Sequence, residues 1–340
     1  MNRRDFLFRG VCAGGLLGVG GVLGCQSPQT AHVGPDKPVL PGAAQAATPQ
    51  AATGAKMGAN RVLESPPEGP HAAIASKRPR GDLVNAAVEA FGGPDAIFKP
   101  GDRVVIKPNL AWGRAPEIGA NTHPEVLGSV IQLAKQARAA EILVVEHSCD
   151  KSMVTFEMSG AQQVCEDMRV PLISLDKESM YDEQAIPGGV NIQRDMIARE
   201  LLECDVYINL PCLKHHGATK ATVGMKNQMG ANWDRQHYHR FGRQSGGQSN
   251  LHQNIADLAT ALRPTLVIVD ATRALKTNGP KGPGQLDETN AVIVSHDIVT
   301  ADALGAQMLG IEPGDVEHIT LAATAGVGEA DLEGLQIARV

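Results

Sequence analysis

Asp205-Val206-Tyr207-Ile208-Asn209-Leu210 runs directly into Pro211-Cys212-Leu213-Lys214-His215-His216. The first six residues are mostly β-branched, aromatic or aliphatic, as a strand buried on both faces requires. The next six turn basic and imidazole-rich where that strand should end. Similar apolar runs predict strands at 103–106, 141–146, 171–175, 265–270 and 291–295. Helical patterns lie between them at 124–137, 160–168 and 299–309. Pro124 at a first turn, with Thr122 nearby for capping, marks the start of one of these helices. Alternation of this kind implies an α/β fold with a largely parallel or mixed sheet and helices on both faces. It would form one large domain or two intimately packed lobes. The segment 229–250 is polar, glycine-containing and unpatterned, and reads as a long loop or lid.

Polar groups collect just after the expected strands. Lys107-Pro108-Asn109, His147-Ser148, Lys214-His215-His216, Asp270 and Ser295-His296-Asp297 each follow or close one. In open parallel sheets, ligands bind in the crevice beyond the carboxyl ends of the strands, so these groups are expected to share one pocket. Lys107, Lys214 and Lys226 are the charges for an anionic group, with Asn109, Asn227 and the Thr219 hydroxyl to orient it. Gly217 and Gly224 leave room for close backbone approach. The order of a phosphate-binding P-loop is absent, as is the G-x-S-x-G of a nucleophile elbow.

The histidines admit two readings. His216 first and His252 second are candidates to move a proton, with Asp270 or Asp297 fixing a tautomer. Alternatively His215 and His216, with His252 or Asp297, are candidate ligands for a metal ion, although no H-E-x-x-H accompanies them. Cys149, Cys165, Cys204 and Cys212 form no C-x-x-C pair, so no ferredoxin-type cluster loop is encoded. Cys212, beside Lys214, reads as a buried strand-end thiol ahead of an activated one.

The ends of the chain speak to location. Arg3-Arg4-Asp5-Phe6-Leu7, followed by a glycine- and leucine-rich run to Gly24, is a twin-arginine export signature. Such a leader implies the twin-arginine export machinery as a partner and a periplasmic or cell-envelope destination. Val22-Leu23-Gly24-Cys25 is similar to a lipobox, which makes Cys25 the candidate lipidation site and the membrane anchor. The expected organisation is a leader over 1–25, a flexible Ala/Pro/Gln-rich linker over 26–69 and an α/β domain over 70–340. The formal net charge is -6. The leader is itself basic, so the remainder is more acidic still, which argues against a nucleic-acid partner.

IKPNLAWG, THPEVLGSVI, YINLPCLKHHGATKATVGMKNQMG, LHQNIADL, LVIVDATRALKTNGP and SHDIVTADALGAQMLG occur in this order. Together they resemble the domain-of-unknown-function 362 family across residues 72–331. The resemblance implies that family's characteristic positions at Lys107, Asn109, Lys214, His216, Thr219, Lys226, Asn227, Asp270, Asp297 and Asp302. Many relatives carry a ferredoxin-like module with two C-x-x-C-x-x-C clusters, and this chain has none. The expectation is thus an enzyme acting on a small anionic substrate or cofactor. The alternatives are a tethered ligand- or metal-binding module without turnover, and a redox partner.

Overall fold

The computed structural model describes residues 61–63, 69–240 and 251–340. The leader, Cys25 and most of the 26–69 stretch therefore lie outside the described residues. Arg61, inside that stretch, bonds to both carboxylate oxygens of Asp102 at 2.8 and 3.2 Å and to the carbonyl of Ile97 at 2.9 Å. No helix among the described residues is long and apolar enough to cross a membrane.

The strands are β1 (Ala72–Ser76), β2 (Arg103–Pro108), β3 (Glu141–Glu146), β4 (Leu172–Ser174), β5 (Tyr181–Ala185), β6 (Arg194–Ala198) and β7 (Val206–Leu210). Next come β8 (Cys212–His216), β9 (Lys220–Thr222), β10 (Leu266–Leu275), β11 (Leu286–Asp287), β12 (Ala291–Ser295) and β13 (Ile337–Arg339). The main sheet has the order β13-β1-β12-β10-β7-β2-β3-β4, with β8 on β10, β9 on β8, and β11 on β10. Strands β10, β7, β2, β3 and β4 are mutually parallel. Strand β12 runs antiparallel to both of its neighbours, β10 and β1.

Helices α1 (Arg80–Phe91), α2 (Pro124–Gln136), α3 (Ser152–Met158), α4 (Ala161–Asp167) and α5 (Arg199–Leu202) precede the short α6 (Gly224–Asn227). They are followed by α7 (Arg235–Arg240), α8 (Leu251–Ala261), α9 (Ile298–Met308) and α10 (Glu317–Thr324). Side chains alternate across each strand, so one strand feeds two cores. Tyr207, Val105 and Val267 join α8, α9 and α10 on one face. Val206, Ile208, Val104 and Ile106 join α1, α2 and α4 on the other. All five residues of β7 are buried, which is why its run carries almost no polar side chain. Pro211 cannot donate to the ladder, yet its carbonyl still accepts from the Asp270 amide at 2.8 Å.

Three local expectations change. The cap of α2 is His123, whose ring accepts from the Glu125 amide at 3.2 Å; the Thr122 hydroxyl instead donates to the Leu210 carbonyl at 2.8 Å. The segment read as a loop contains α7. The antiparallel course of β12 pairs Ser295 with Val267 near the start of β10, so Asp297 emerges at the amino end of β10, whereas Lys214 pairs with Leu275 at its carboxyl end. Asp297 caps α9, its Oδ1 accepting from Val299 and Thr300 and its Oδ2 from Glu329 at 2.7 Å. An Asp297→Ala chain should lose about 1 kcal/mol of stability in urea denaturation, the usual size of a lost N-cap, with ligand binding at the far end of the sheet unchanged.

Candidate functional site

A cavity of about 560 Å³ opens beyond the carboxyl ends of β2, β3 and β8. Asn109, Lys214, His216, Lys226 and Asn227, five of the residues expected from sequence, line it. Lys107 lies immediately behind the wall, wholly buried, with its Nζ 2.9 Å from Oε1 of Glu146, which does line the cavity. Residues more than a hundred positions apart therefore meet at one rim.

The ribbon of β8 and β9 explains the local arrangement. Lys214 and His216 are two residues apart and share a face, and Thr222 is the cross-strand partner of Lys214. His215 belongs to the opposite face and does not line the cavity. Lys214 is 1% exposed; its ammonium donates to Asn109 Oδ1 at 2.7 Å and to the Ala120 carbonyl. Asn109 Nδ2 donates to Asn227 Oδ1 at 2.7 Å, and Asn227 Nδ2 donates to Asn209 Oδ1 at 2.8 Å. Asn209 closes the series on the Gly224 carbonyl at 3.0 Å, at the head of α6. Asp302 of α9 holds the same turn from outside by accepting from the Gly224 amide at 2.7 Å.

The electrostatics are one-sided. Lys107, Lys214, Lys226 and Arg235 surround or back the cavity, and among the described residues Glu146 is the one carboxylate lining it. Glu146 is committed: its oxygens accept from Lys107, the His147 amide at 2.9 Å and the Leu110 amide at 3.0 Å. Gly230 lies so close to this pair that an added Cβ would stand 2.2 Å from Glu146 Oε1. No carboxylate bonds to Lys214 or Lys226 among the described residues. Burial, and then the Lys214 charge, push the Lys226 ammonium down to about 8. Burial likewise lowers Lys214 and Lys107, with Glu146 opposing the shift for Lys107.

Two of the three histidines lining the cavity, His216 and His147, take opposite tautomers. His216 Nδ1 accepts from the Ala218 and Thr219 amides at 3.1 and 3.2 Å, so its proton sits on Nε2. Burial, then Lys226, push this imidazole down to about 2, so it is a neutral donor. His147 Nδ1 is 3.2 Å from the Asn232 carbonyl and must carry the proton, leaving Nε2 as an acceptor. Burial and Arg235 keep His147 below its ordinary value, and its ring stacks on Trp233 at 5.6 Å. One cavity thus offers a proton donor and a proton acceptor.

Other expected site residues are elsewhere. Asp270 is buried and spent on the His123 amide at 2.7 Å and on Thr272 at 2.7 and 3.0 Å, which anchors the start of α2. His252 is stacked on His318 of α10, their Nδ1 atoms 3.0 Å apart, and does not line the cavity. Thr219 uses its hydroxyl on the Ala221 carbonyl at 3.0 Å and serves by steadying His216. His215, His216 and Asp297 do not assemble: alternation separates the first two and β12 carries the third away. Among the described residues no three His, Cys, Asp or Glu side chains gather as a metal set. Burial pushes the Cys212 thiol up to about 12, as suits an inert core group. His147, expected at the strand-end pocket though without a role, does line it, whereas Glu146, Arg235 and His239 were missed as site residues; the position of Glu146 at the end of β3 was the available signal for one of them.

An α/β protein with a cationic cavity at the carboxyl ends of its parallel strands is the class that fold and site define. The chain belongs to the family described as Domain of unknown function (DUF362), which matches residues 104–307. It is similar to the "Thylakoid-associated protein sll1697" of Synechocystis sp., 27% identical over 253 residues, or 72% of this chain and 74% of the relative. Among solved structures, the lactate racemase apoprotein from Thermoanaerobacterium thermosaccharolyticum aligns with a TM-score of 0.47 and 13% identity. That alignment covers 74% of this chain and 61% of the racemase chain.

Removing the Glu146 charge alone tests the wall of the cavity. Glu146→Gln strands a buried lysine, so chemical denaturation should show a loss of about 3–5 kcal/mol. A change under about 0.5 kcal/mol, the range of an ordinary surface substitution, would remove the pair from its structural role.

Proposed function

We propose that this protein binds a small anionic ligand in the rim cavity, from an exported position in the cell envelope. The observation that carries the binding reading is that Lys214 and Lys226 face the cavity with no carboxylate bonded to either among the described residues. Two ammonium groups facing one cavity, Lys214 buried and Lys226 half-buried, repel each other and lose solvation, and a bound anion offsets both costs. The opposed tautomers of His216 and His147 support an enzyme acting on that anion. His216 Nε2–H would donate to an oxygen of the ligand, and His147 Nε2 would take a proton from a neighbouring atom. A binding module without turnover would need only the lysines.

Arg3-Arg4 and Cys25 support the export and anchoring parts of the proposal, and the similar protein from Synechocystis sp. is itself named as thylakoid-associated. Cell fractionation tests them: replacing Arg3 and Arg4 by lysine should hold the chain in the cytoplasm, and unchanged export would contradict the leader.

Calorimetry with sulfate, inorganic phosphate and oxalate tests the cavity. Lys226→Met should weaken the best of the three by about tenfold or more, near 1.4 kcal/mol. Lys226 is charged below its value of about 8, and the anion binds the charged form. Sulfate affinity should therefore hold as pH rises from 7 towards 8. It should then fall through that value, approaching about tenfold per pH unit. A profile flat to pH 10, or one identical in Lys226→Met, would contradict the role of Lys226.

A further inference from the structure

The lining of the cavity is not uniform. Its floor is made of buried polar side chains, among them Asn109, Lys214, His216, Thr222 and Asn227. Away from this floor the wall is mixed: the half-buried Ala111, Trp112 and Pro280 give it carbon, and Arg235, Gln236 and His239 stand beside them. At about 560 Å³ it is well beyond the size of an inorganic oxyanion and falls in the range of organic ligands.

The floor can be counted in donor hydrogens. An ammonium has three. Lys214 commits one to Asn109 and one to Ala120, which leaves one free. Lys226 has no side-chain hydrogen bond committed among the described residues, so all three remain. His216 presents its Nε2–H, since Nδ1 is occupied as an acceptor. The Thr222 hydroxyl is the independent observation: the residue is 3% exposed, lines the cavity, and its Oγ1 has no partner among the described residues. Buried hydroxyls without partners are rare, and one lining a cavity points to a ligand atom. The floor thus holds six donor hydrogens and two positive charges. A carboxylate brings one negative charge and two oxygens. A phosphate monoester brings close to two charges and three acceptor oxygens, or about six lone-pair sites, which matches both counts.

We infer that the natural ligand is a phosphate monoester with an aromatic body. Its phosphoryl group lies among Lys214, Lys226, His216 Nε2 and Thr222 Oγ1, and its ring lies against the Trp112 wall. The inference rests on the anion reading above and assigns that anion's chemistry.

Calorimetry on the full-length chain with phenyl phosphate, methyl phosphate and benzoate tests it. Phenyl phosphate should bind about tenfold or more tighter than either of the others, as an aromatic contact added to a matched head implies. Trp112→Ala should abolish the advantage of phenyl over methyl phosphate and leave methyl phosphate where it was. Thr222→Val, nearly the same shape, should weaken both phosphates alike. Thermal melting of the free variants checks their folding, and Trp112→Leu replaces Trp112→Ala if the alanine chain melts early. Benzoate binding as well as phenyl phosphate would overturn the phosphoryl head while leaving the anion reading standing. Equal affinity for phenyl and methyl phosphate would overturn the aromatic body. If no member of the series binds, and sulfate, inorganic phosphate and oxalate fail as well, the anion reading itself is wrong.

Discussion

A chain of side-chain hydrogen bonds from Lys214 through Asn109, Asn227 and Asn209 to the Gly224 carbonyl organises the rest of the site. It joins β8, the turn after β2, α6 and β7. Carboxamides suit the task because each offers a donor and an acceptor at fixed spacing without adding charge. A carboxylate in the place of Asn109 would neutralise Lys214 and remove the attraction for a ligand. The Asn109 amide, itself held through Asn227 and Asn209, and the Ala120 carbonyl satisfy the lysine's geometry and leave its charge uncompensated. The result is a buried cation held in place before any ligand arrives, which lowers the ordering cost of binding.

The Lys107–Glu146 pair solves the neighbouring problem differently. Here the charge is cancelled, and the two carboxylate oxygens also gather the Leu110 and His147 amides, so the ends of β2 and β3 are tied into one wall. Gly230 lets the chain after α6 pass directly over this pair. Asp302, reaching in from α9, fixes the turn that carries Lys226. A neutralised wall beside an uncompensated floor gives the cavity its polarity. It places the free charge at Lys214 and Lys226, where the donor hydrogens are also free.

Much of this was legible in the sequence because strands buried on both faces announce themselves. Runs such as 103–106 and 205–210 have few polar side chains, and the polar residue that ends each run stands at the rim. Lys214 and His216 could be assigned to one surface by their spacing alone. Asp297 could not be placed, because strand direction depends on pairing with β10 and β1, which no local pattern records. Glu146 read as the last residue of a strand, since its partner is 39 positions away. Arg235 and His239 sit in a helix of six residues, too short for a periodic signal. Asp270 and His252 have the right chemistry, yet backbone amides and His318 occupy them, and satisfaction of that kind is visible only in three dimensions.

The central claim is that uncompensated charge at Lys214 and Lys226 makes the rim cavity an anion site. The most direct measurement is anomalous diffraction from crystals soaked in selenate, a tetrahedral dianion that is seen without assumption about its position. The account requires the strongest selenium peak between the Lys226 and Lys214 ammonium groups, within reach of His216 Nε2 and Thr222 Oγ1. A cavity holding only water, with selenate gathered elsewhere on the surface, would contradict it.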